Sequence, residues 1–277
     1  MSQAKPMLVN EVKCKSILNK SGISVIDYAI NPYYGCAHKC QYCYAVFMKR
    51  FTGHTEPWGD FVDAKVNGPE VLAQQLQRLK KRSRISFGTV CDPYQPLELK
   101  YQITRKCLEI LIPYRHRVSI LTKSAIVIRD ADVLRRLYKV RVSFTITSME
   151  EKVRKVFEPA TPSAEMRFKA LRTLSQDGIN TSVFVAPVIP YISDSPTAIA
   201  DIFKAARSAG ADYVMFDTLN PYPKVWRNVQ RLVKNQFPDK FESFNTYYTN
   251  RKMYKVRLRE RIRSLGEKYR IDYRFAF

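Results

Sequence analysis

A chain of 277 residues with 45% hydrophobic content is long enough for one large domain with an ordinary core, and α/β barrels commonly run to this size. It contains no run of about 18 apolar residues, so no membrane span is expected, and Met1-Ser-Gln-Ala-Lys-Pro-Met7 lacks the apolar stretch of a secretion signal, which points to the cytoplasm. Lys and Arg number 47 against 25 Asp and Glu, a net charge of +22 that is the usual footprint of a polyanion partner, DNA or RNA; a surface suited to heat or salt, or a ribosome-associated habit, would also produce it.

Residues 1–25 carry Lys5, Lys13, Lys15 and Lys20 with little periodicity and read as a lead-in that packs beside the main body or touches substrate; Cys14 reads as an ordinary thiol. Val25–Ile30 alternates enough to form a first strand. It ends at Asn31-Pro-Tyr-Tyr-Gly-Cys36-Ala-His-Lys-Cys40-Gln-Tyr-Cys43-Tyr-Ala45, where Pro32 and Gly35 argue for a loop and Ala45–Arg50 for a helix beyond it. Residues 51–67 read as an irregular, aromatic-rich excursion broken by Gly53, Pro57 and Gly59. Pro69 suits the first turn of a helix whose apolar face is Val71, Leu72, Leu76 and Leu79, closed by the basic run Lys80–Arg84.

Strands and helices then alternate. Strands are expected at 85–90, 118–122, 140–147, 181–186 and 213–219, and helices at 104–112, 130–138, 150–157, 163–176 and 195–210. Ser163 opens one helix in the manner of a capping box, with Met166 in place of the usual Glu, and Gly178 stops it. Cys107 falls on an apolar stripe and reads as core. Six β–α units of this kind argue for a parallel sheet with helices outside it. The last 54 residues hold 15 Lys and Arg against 5 Asp and Glu. Val225, Trp226, Val229, Leu232 and Val233 recur at helical spacing, and Met253–Tyr269 reads as a second basic helix. Tyr247, Tyr248, Tyr254, Tyr269, Tyr273, Phe275 and Phe277 interleave with the charges, which suits phosphate contact with base stacking, or two helices packing their aromatics inward.

Six cysteines in a chain of this size do not suggest a disulfide scaffold, and Cys36, Cys40 and Cys43 sit within eight residues at Cys-x3-Cys-x2-Cys spacing. Three thiolates are one short of a closed zinc site or a four-cysteine cluster, and no second Cys/His pair lies at ordinary zinc spacing. His38 reads as solvated or as a neighbour of the ligands. This spacing, with the aromatic Tyr42 before the last cysteine, resembles the radical S-adenosylmethionine (SAM) superfamily; Gly35-Cys-x3-Cys-x2-Cys-Tyr-Ala45 resembles its spore photoproduct lyase-like branch. The resemblance covers about residues 26–223. It implies an α/β fold, a partial (β/α)6 barrel with a basic helical extension over 224–277, and a [4Fe-4S] cluster whose open iron chelates SAM. It also implies a low-potential electron donor such as ferredoxin or flavodoxin.

In barrels of this type the chemistry sits at the C-terminal ends of the strands, and each strand end here carries polar residues. Gly88-Thr-Val-Cys-Asp-Pro-Tyr-Gln-Pro96 matches the same branch, with Cys91 where Thr is more usual. Gly88 permits close approach of a ligand, and Asp92 reads as a turn residue. The resemblance implies a hydrogen-donor cysteine near this strand end, aligned with Thr89. Strand alternation would put residue 91 on the same face, so Cys91, with Tyr94 behind it, is a candidate donor; the plain alternative is a small packed thiol. Lys123 is a candidate partner for the SAM carboxylate and Ser124 for its amino acid or ribose. Ser143, Thr145 and Thr147 share a strand face suited to ribose. Tyr42, Glu158 and Arg167 match the family's pattern, with Arg167 placed to fork onto a carboxylate or simply to sit on a helix surface. Pro187 and Pro190 make a rigid loop for adenine, and Asn220-Pro-Tyr-Pro223 lines the substrate side.

These readings converge on a cytoplasmic lyase-like radical SAM enzyme that acts on nucleic acid, either in DNA repair of a thymine-derived lesion or in base modification. A radical enzyme for a peptide or small metabolite is the alternative enzyme. A nucleic-acid-binding iron–sulfur protein or redox sensor without catalysis is the alternative outside enzymology.

Overall fold

The computed structural model describes residues 6–79 and 81–277, so Lys5 and Lys80 lie outside it. Two compact units are present: the residues up to Lys39 with Ala45–Val142, and Cys40–Tyr44 with Ser143–Phe277. The expected alternation is found in both.

The first unit contains β1 (Leu8–Val12), β2 (Leu18–Lys20), β3 (Tyr28–Ile30), β4 (Tyr33–Gly35), β5 (Phe61–Lys65), α1 (Gly68–Gln77), β6 (Arg84–Phe87), α2 (Glu98–Tyr101), α3 (Ile103–Leu111), β7 (Arg117–Thr122) and α4 (Ala131–Leu134). Its main sheet runs β2-β3-β6-β7, with β3, β6 and β7 parallel and β2 antiparallel to β3. Strand β8 (Lys139–Thr145) begins in this unit and ends in the second. The strand interiors are apolar because helices cover them: Ile85, Phe87, Val118 and Ile120 are almost fully buried, and each such side chain gains roughly 1.5–3 kcal/mol by leaving water.

Several sequence expectations are corrected here. The helix expected after the cysteines is present over Tyr44–Phe51, wound as a 3-10 helix. The excursion over 51–67 contains β5, which pairs in parallel with β1 and antiparallel with β4 in a separate three-stranded sheet. Helix α1 has Pro69 in its first turn but stops at Gln77 with no basic residue in its last turn, and Arg84 already belongs to β6. The helix expected over 130–138 is only the four residues of α4, preceded by a 3-10 turn over Ala125–Asp130.

The second unit continues with α5 (Glu151–Phe157), α6 (Ala164–Gln176), β9 (Asn180–Val188), α7 (Pro196–Ala209), β10 (Tyr213–Thr218), α8 (Pro223–Gln236), α9 (Phe241–Tyr269) and β11 (Asp272–Phe275). Ser163 caps α6 by accepting from the Met166 amide at 3.2 Å, and Ser195 caps α7 from Ala198 at 3.1 Å. Strand β9 runs through Pro187, so that proline ends a strand rather than occupying a loop. β11, unforeseen in the sequence, pairs in parallel with β10.

The basic tail uses part of its aromatic set for packing. Tyr247 and Tyr254 are buried, Trp226 stacks on Phe244 at 5.1 Å, and the Tyr247 hydroxyl donates to the Leu219 carbonyl at 2.6 Å. Tyr248 stays exposed. Among the described residues no helix is long and apolar enough to cross a membrane.

Candidate active site

Strand β4 delivers the chain to Cys36, and the register of β4 against β5 explains Gly35. Its φ of +79° is left-handed, and a Cβ would lie 2.2 Å from the Phe61 carbonyl oxygen of β5, so only glycine fits. Cys36 is buried, and its carbonyl accepts from the Lys39 amide at 3.3 Å. The Ala37 amide donates to Gln95 Oε1 at 2.8 Å. His38 is not solvated: it is 2% exposed, with Nε2 3.2 Å from Asp92 Oδ2.

Asp92 is more than a turn residue. It accepts from the Tyr94 amide at 2.9 Å, the Thr122 hydroxyl at 2.7 Å and the Lys123 amide at 2.6 Å. Burial works against its charge, but His38, Thr122 and Lys123 outweigh that and hold the carboxyl at about 2. Lys123 therefore gives its backbone to Asp92. Ser124 is buried and accepts from the Ile126 amide at 3.3 Å, capping the turn that follows β7.

The route to Cys91 differs from the expected one. Strand β6 ends at Phe87, so strand alternation cannot set residues 89 and 91 on one face. Gly88, at φ +91°, turns the chain where a Cβ would meet the Leu121 carbonyl oxygen at 2.3 Å; its close approach is to β7. Residues 89 and 91 nevertheless meet at one side chain. Asn31 Nδ2 donates to Thr89 Oγ1 at 2.9 Å, and its Oδ1 accepts from the Val90 amide at 3.0 Å and the Cys91 thiol at 3.8 Å. The Asn31 carbonyl accepts from Lys65 Nζ at 2.8 Å. Lys65 is 3% exposed, its ammonium is 3.9 Å from the Tyr34 ring centroid, and burial lowers its basicity. Tyr94 is fully buried, and its phenol is pushed up by burial and then by the Asp130 and Glu98 carboxylates.

In the second unit Glu158 gathers the predicted residues. It is 2% exposed. Its Oε1 accepts from the Tyr42 hydroxyl in a short bond and from Thr147 Oγ1 at 2.9 Å. Its Oε2 pairs with Arg167 at 2.7 Å. Arg167 is also buried and donates to the Thr145 carbonyl at 2.8 Å and the Pro162 carbonyl at 2.8 and 3.0 Å. The carboxylate that Arg167 meets is thus Glu158, through one nitrogen of the guanidinium. Burial, then Glu158, drive the Tyr42 phenol far above its ordinary range, so it stays protonated as a donor. The Gln41 amide donates to the Phe157 carbonyl at 2.8 Å, and Gln41 Oε1 accepts from Asn228 at 2.9 Å. Ser143 Oγ lies 2.7 Å from Ser182 Oγ, and the Cys43 amide donates to the Cys40 carbonyl at 3.2 Å.

None of the six cysteines forms a disulfide. Among the described residues no three His, Cys, Asp or Glu side chains converge as a bound metal ion requires. The fit of the cysteine loop to a cluster therefore rests on its donors: three thiols, with Cys36 buried and Cys40 and Cys43 half-buried. The sequence model of the radical SAM superfamily matches residues 30–203. The chain belongs to the radical SAM superfamily. An uncharacterized protein of Methanocaldococcus jannaschii is 32% identical over 232 residues, 84% of this chain and 85% of that one. A radical SAM Nalpha-GlyT isomerase of Pseudomonas phage M6 is 22% identical over 79% of this chain and 45% of its own. The structure of spore photoproduct lyase complexed with dinucleoside spore photoproduct superposes with a TM-score of 0.72 at 18% identity, covering 97% of this chain and 82% of that one. The shared fold is the α/β class expected, a mostly parallel sheet with a helical C-terminal region.

As a radical SAM enzyme the protein uses a [4Fe-4S] cluster and SAM. Sequence reading gave no part in holding the loop to Asp92, Gln95, Asn31 or Lys65, and read His38 as either solvated or a neighbour of the ligands. Asp92 and Gln95 stand in a recognised motif, which was the available signal. Nothing in Asn31 or Lys65 distinguishes them before the fold is known.

Proposed function

We propose that this radical SAM enzyme acts on nucleic acid, repairing a thymine-derived lesion or modifying a base. The observation that carries the reading is the net charge of +22 with its concentration in the last 54 residues. A fold neighbour complexed with a dinucleoside and a radical SAM relative from a phage support it. In this reading residues 26–223 carry the chemistry and 224–277 face the polyanion.

Cys36, Cys40 and Cys43 would hold the cluster, which with SAM supplies a 5′-deoxyadenosyl radical for hydrogen abstraction from substrate. The chain's own residues position and protect. Asp92 fixes the loop through His38, and Glu158 fixes it through Tyr42. Lys123 and Ser124 would hold the amino-acid end of SAM, Ser143 and Thr145 its ribose, and Pro187 its adenine. Cys91 donates a hydrogen atom to the substrate radical: its S–H bond breaks, a C–H bond forms, and a thiyl remains. An electron from a ferredoxin- or flavodoxin-type donor and a proton restore the thiol. Tyr94 backs the turn as a buried ring.

The test is anaerobic incubation of the reduced protein with SAM and short DNA and RNA strands carrying ultraviolet photoproducts, read by mass analysis. The reading expects 5′-deoxyadenosine together with an altered strand. If the cofactor is cleaved and only peptides or metabolites change, the nucleic-acid reading fails. Replacing Cys36, Cys40 or Cys43 by Ala should remove most iron and all SAM cleavage; an essential ligand among Cys14, Cys91 or Cys107 would refute the assignment.

A further inference from the structure

The second unit holds a cavity of about 450 Å³, a size ordinary for a small-molecule site of roughly 300–1,000 Å³. Tyr191 and Asp194, from the turn after β9, line one side; Asn250, Tyr254, Arg257 and Arg261 of α9 line the other. Two backbone irregularities meet there. Tyr191 has φ +62°, a left-handed conformation that bulky residues rarely adopt, and Asn250, at φ −104° and ψ 21°, interrupts α9. Such sparsely populated conformations gather at ligand sites. The turn is firmly held: the Ile192 and Ser193 amides donate to the Ile189 carbonyl at 3.1 and 2.9 Å, and the Ile189 amide donates to Ser193 Oγ at 2.9 Å. The Tyr191 ring is thereby set 5.7 Å from that of Tyr254.

The charges in the cavity do not balance. Tyr254 donates to Asp194 Oδ2 at 2.8 Å, and Arg261 lies 3.8 Å from the same oxygen while donating to the Asp194 carbonyl. The one acid is therefore answered. Arg257, one helical turn before Arg261, is exposed, and among the described residues no acid pairs with it. An aromatic wall, an unanswered guanidinium and the Asn250 amide make a set that takes a planar heterocycle with a phosphate beside it.

We propose that this cavity receives one unstacked nucleotide of the bound strand, its base on Tyr191 and its phosphate on Arg257, an inference that rests on the nucleic-acid reading above. The full-length protein is titrated with fluorescent hexathymidylate and with a six-unit abasic deoxyribose-phosphate strand over a range of salt. Tyr191→Gly keeps the left-handed turn and removes the ring. It should weaken hexathymidylate roughly tenfold, with the abasic strand nearly unaffected, so the preference for bases shrinks by the same factor. Arg257→Gln should weaken both strands alike and reduce the salt slope by roughly 0.7. Should Tyr191→Gly fold poorly, Tyr191→Asn, which also tolerates the turn, takes its place. A base preference unchanged in the Tyr191 variant overturns the cavity assignment alone. Wild type that binds neither strand overturns it together with the nucleic-acid reading.

Discussion

Two buried carboxylates hold the cysteine loop, and they are satisfied in different ways. Asp92, in the first unit, is ringed by the Tyr94 amide of its own turn, the Thr122 hydroxyl and Lys123 amide at the end of β7, and the His38 ring of the loop. Glu158, in the second, sits against a full guanidinium and three hydroxyls, and Arg167 in turn ties three oxygens in its surroundings. The chain passes from one anchor to the other between Lys39 and Cys40. Asp92 spreads its bonds over an imidazole, two amides and a hydroxyl, so an amide in its place keeps most of them, whereas removing Glu158 strands a buried guanidinium in a dry site.

The largest expected effect therefore falls on Glu158. Glu158→Ala leaves Arg167, 1% exposed, without its acid and takes the carboxylate from Tyr42, and should cost about 3–5 kcal/mol in urea unfolding. Glu158→Gln keeps an acceptor and should cost less. A loss below about 1 kcal/mol for the Ala variant would break the contrast between the anchors.

Asp92→Asn should be milder, about 2 kcal/mol, since the side-chain oxygen still accepts. The same anchor gives the pH signature. Its folded carboxyl sits at about 2 against an ordinary 3.8, so its contribution is complete above pH 4 and drains away as pH falls through 2. Thermal melts between pH 5 and 2 should show a stability loss in wild type that flattens in Asp92→Asn. Parallel curves for the two proteins would remove Asp92 as the acid-sensitive group.

The smallest effect on stability is expected at Cys91, where Cys91→Ala trims one small side chain and should cost about 1 kcal/mol or less. Its consequence is chemical. With the true substrate, 5′-deoxyadenosine should still form while the normal product falls and aberrant adducts appear. Normal product at the normal rate would return Cys91 to ordinary packing and leave Asn31 as a mere loop clamp.

The six strands of the α/β pattern were legible because each is a short apolar run between helical faces; β7, β8, β9 and β10 fall within two residues of their expected bounds, while β3 and β6 are shorter than expected. The strands missed lack that signal. β1 is Leu-Val-Asn-Glu-Val and mostly exposed, and β5 buries Asp63 and Lys65, which no alternation rule would place inside. The pairing of Glu158 with Arg167 was hidden for a different reason. Eight residues lie between them across the break between α5 and α6, and only the turn through Thr161 and Pro162 brings them together. Sequence could show that both belonged near the chemistry, not that each is the other's partner. The shared neighbourhood of Thr89 and Cys91 was anticipated through strand alternation, yet Asn31 supplies it.

Lys65 offers a use of its own. A surface amine reacts with acylating reagents at a rate set by its basicity, but this one is sheltered in β5, bonded to the Asn31 carbonyl and held over the Tyr34 ring. It should therefore be acylated only when β5 lifts from its neighbours. Time-resolved acylation read by mass at Lys65, against an exposed lysine such as Lys252 as the clock, becomes a built-in footprint of how often the strand behind the cysteine loop opens. Tighter protection on loading with iron and SAM would measure how far the cofactors close that motion.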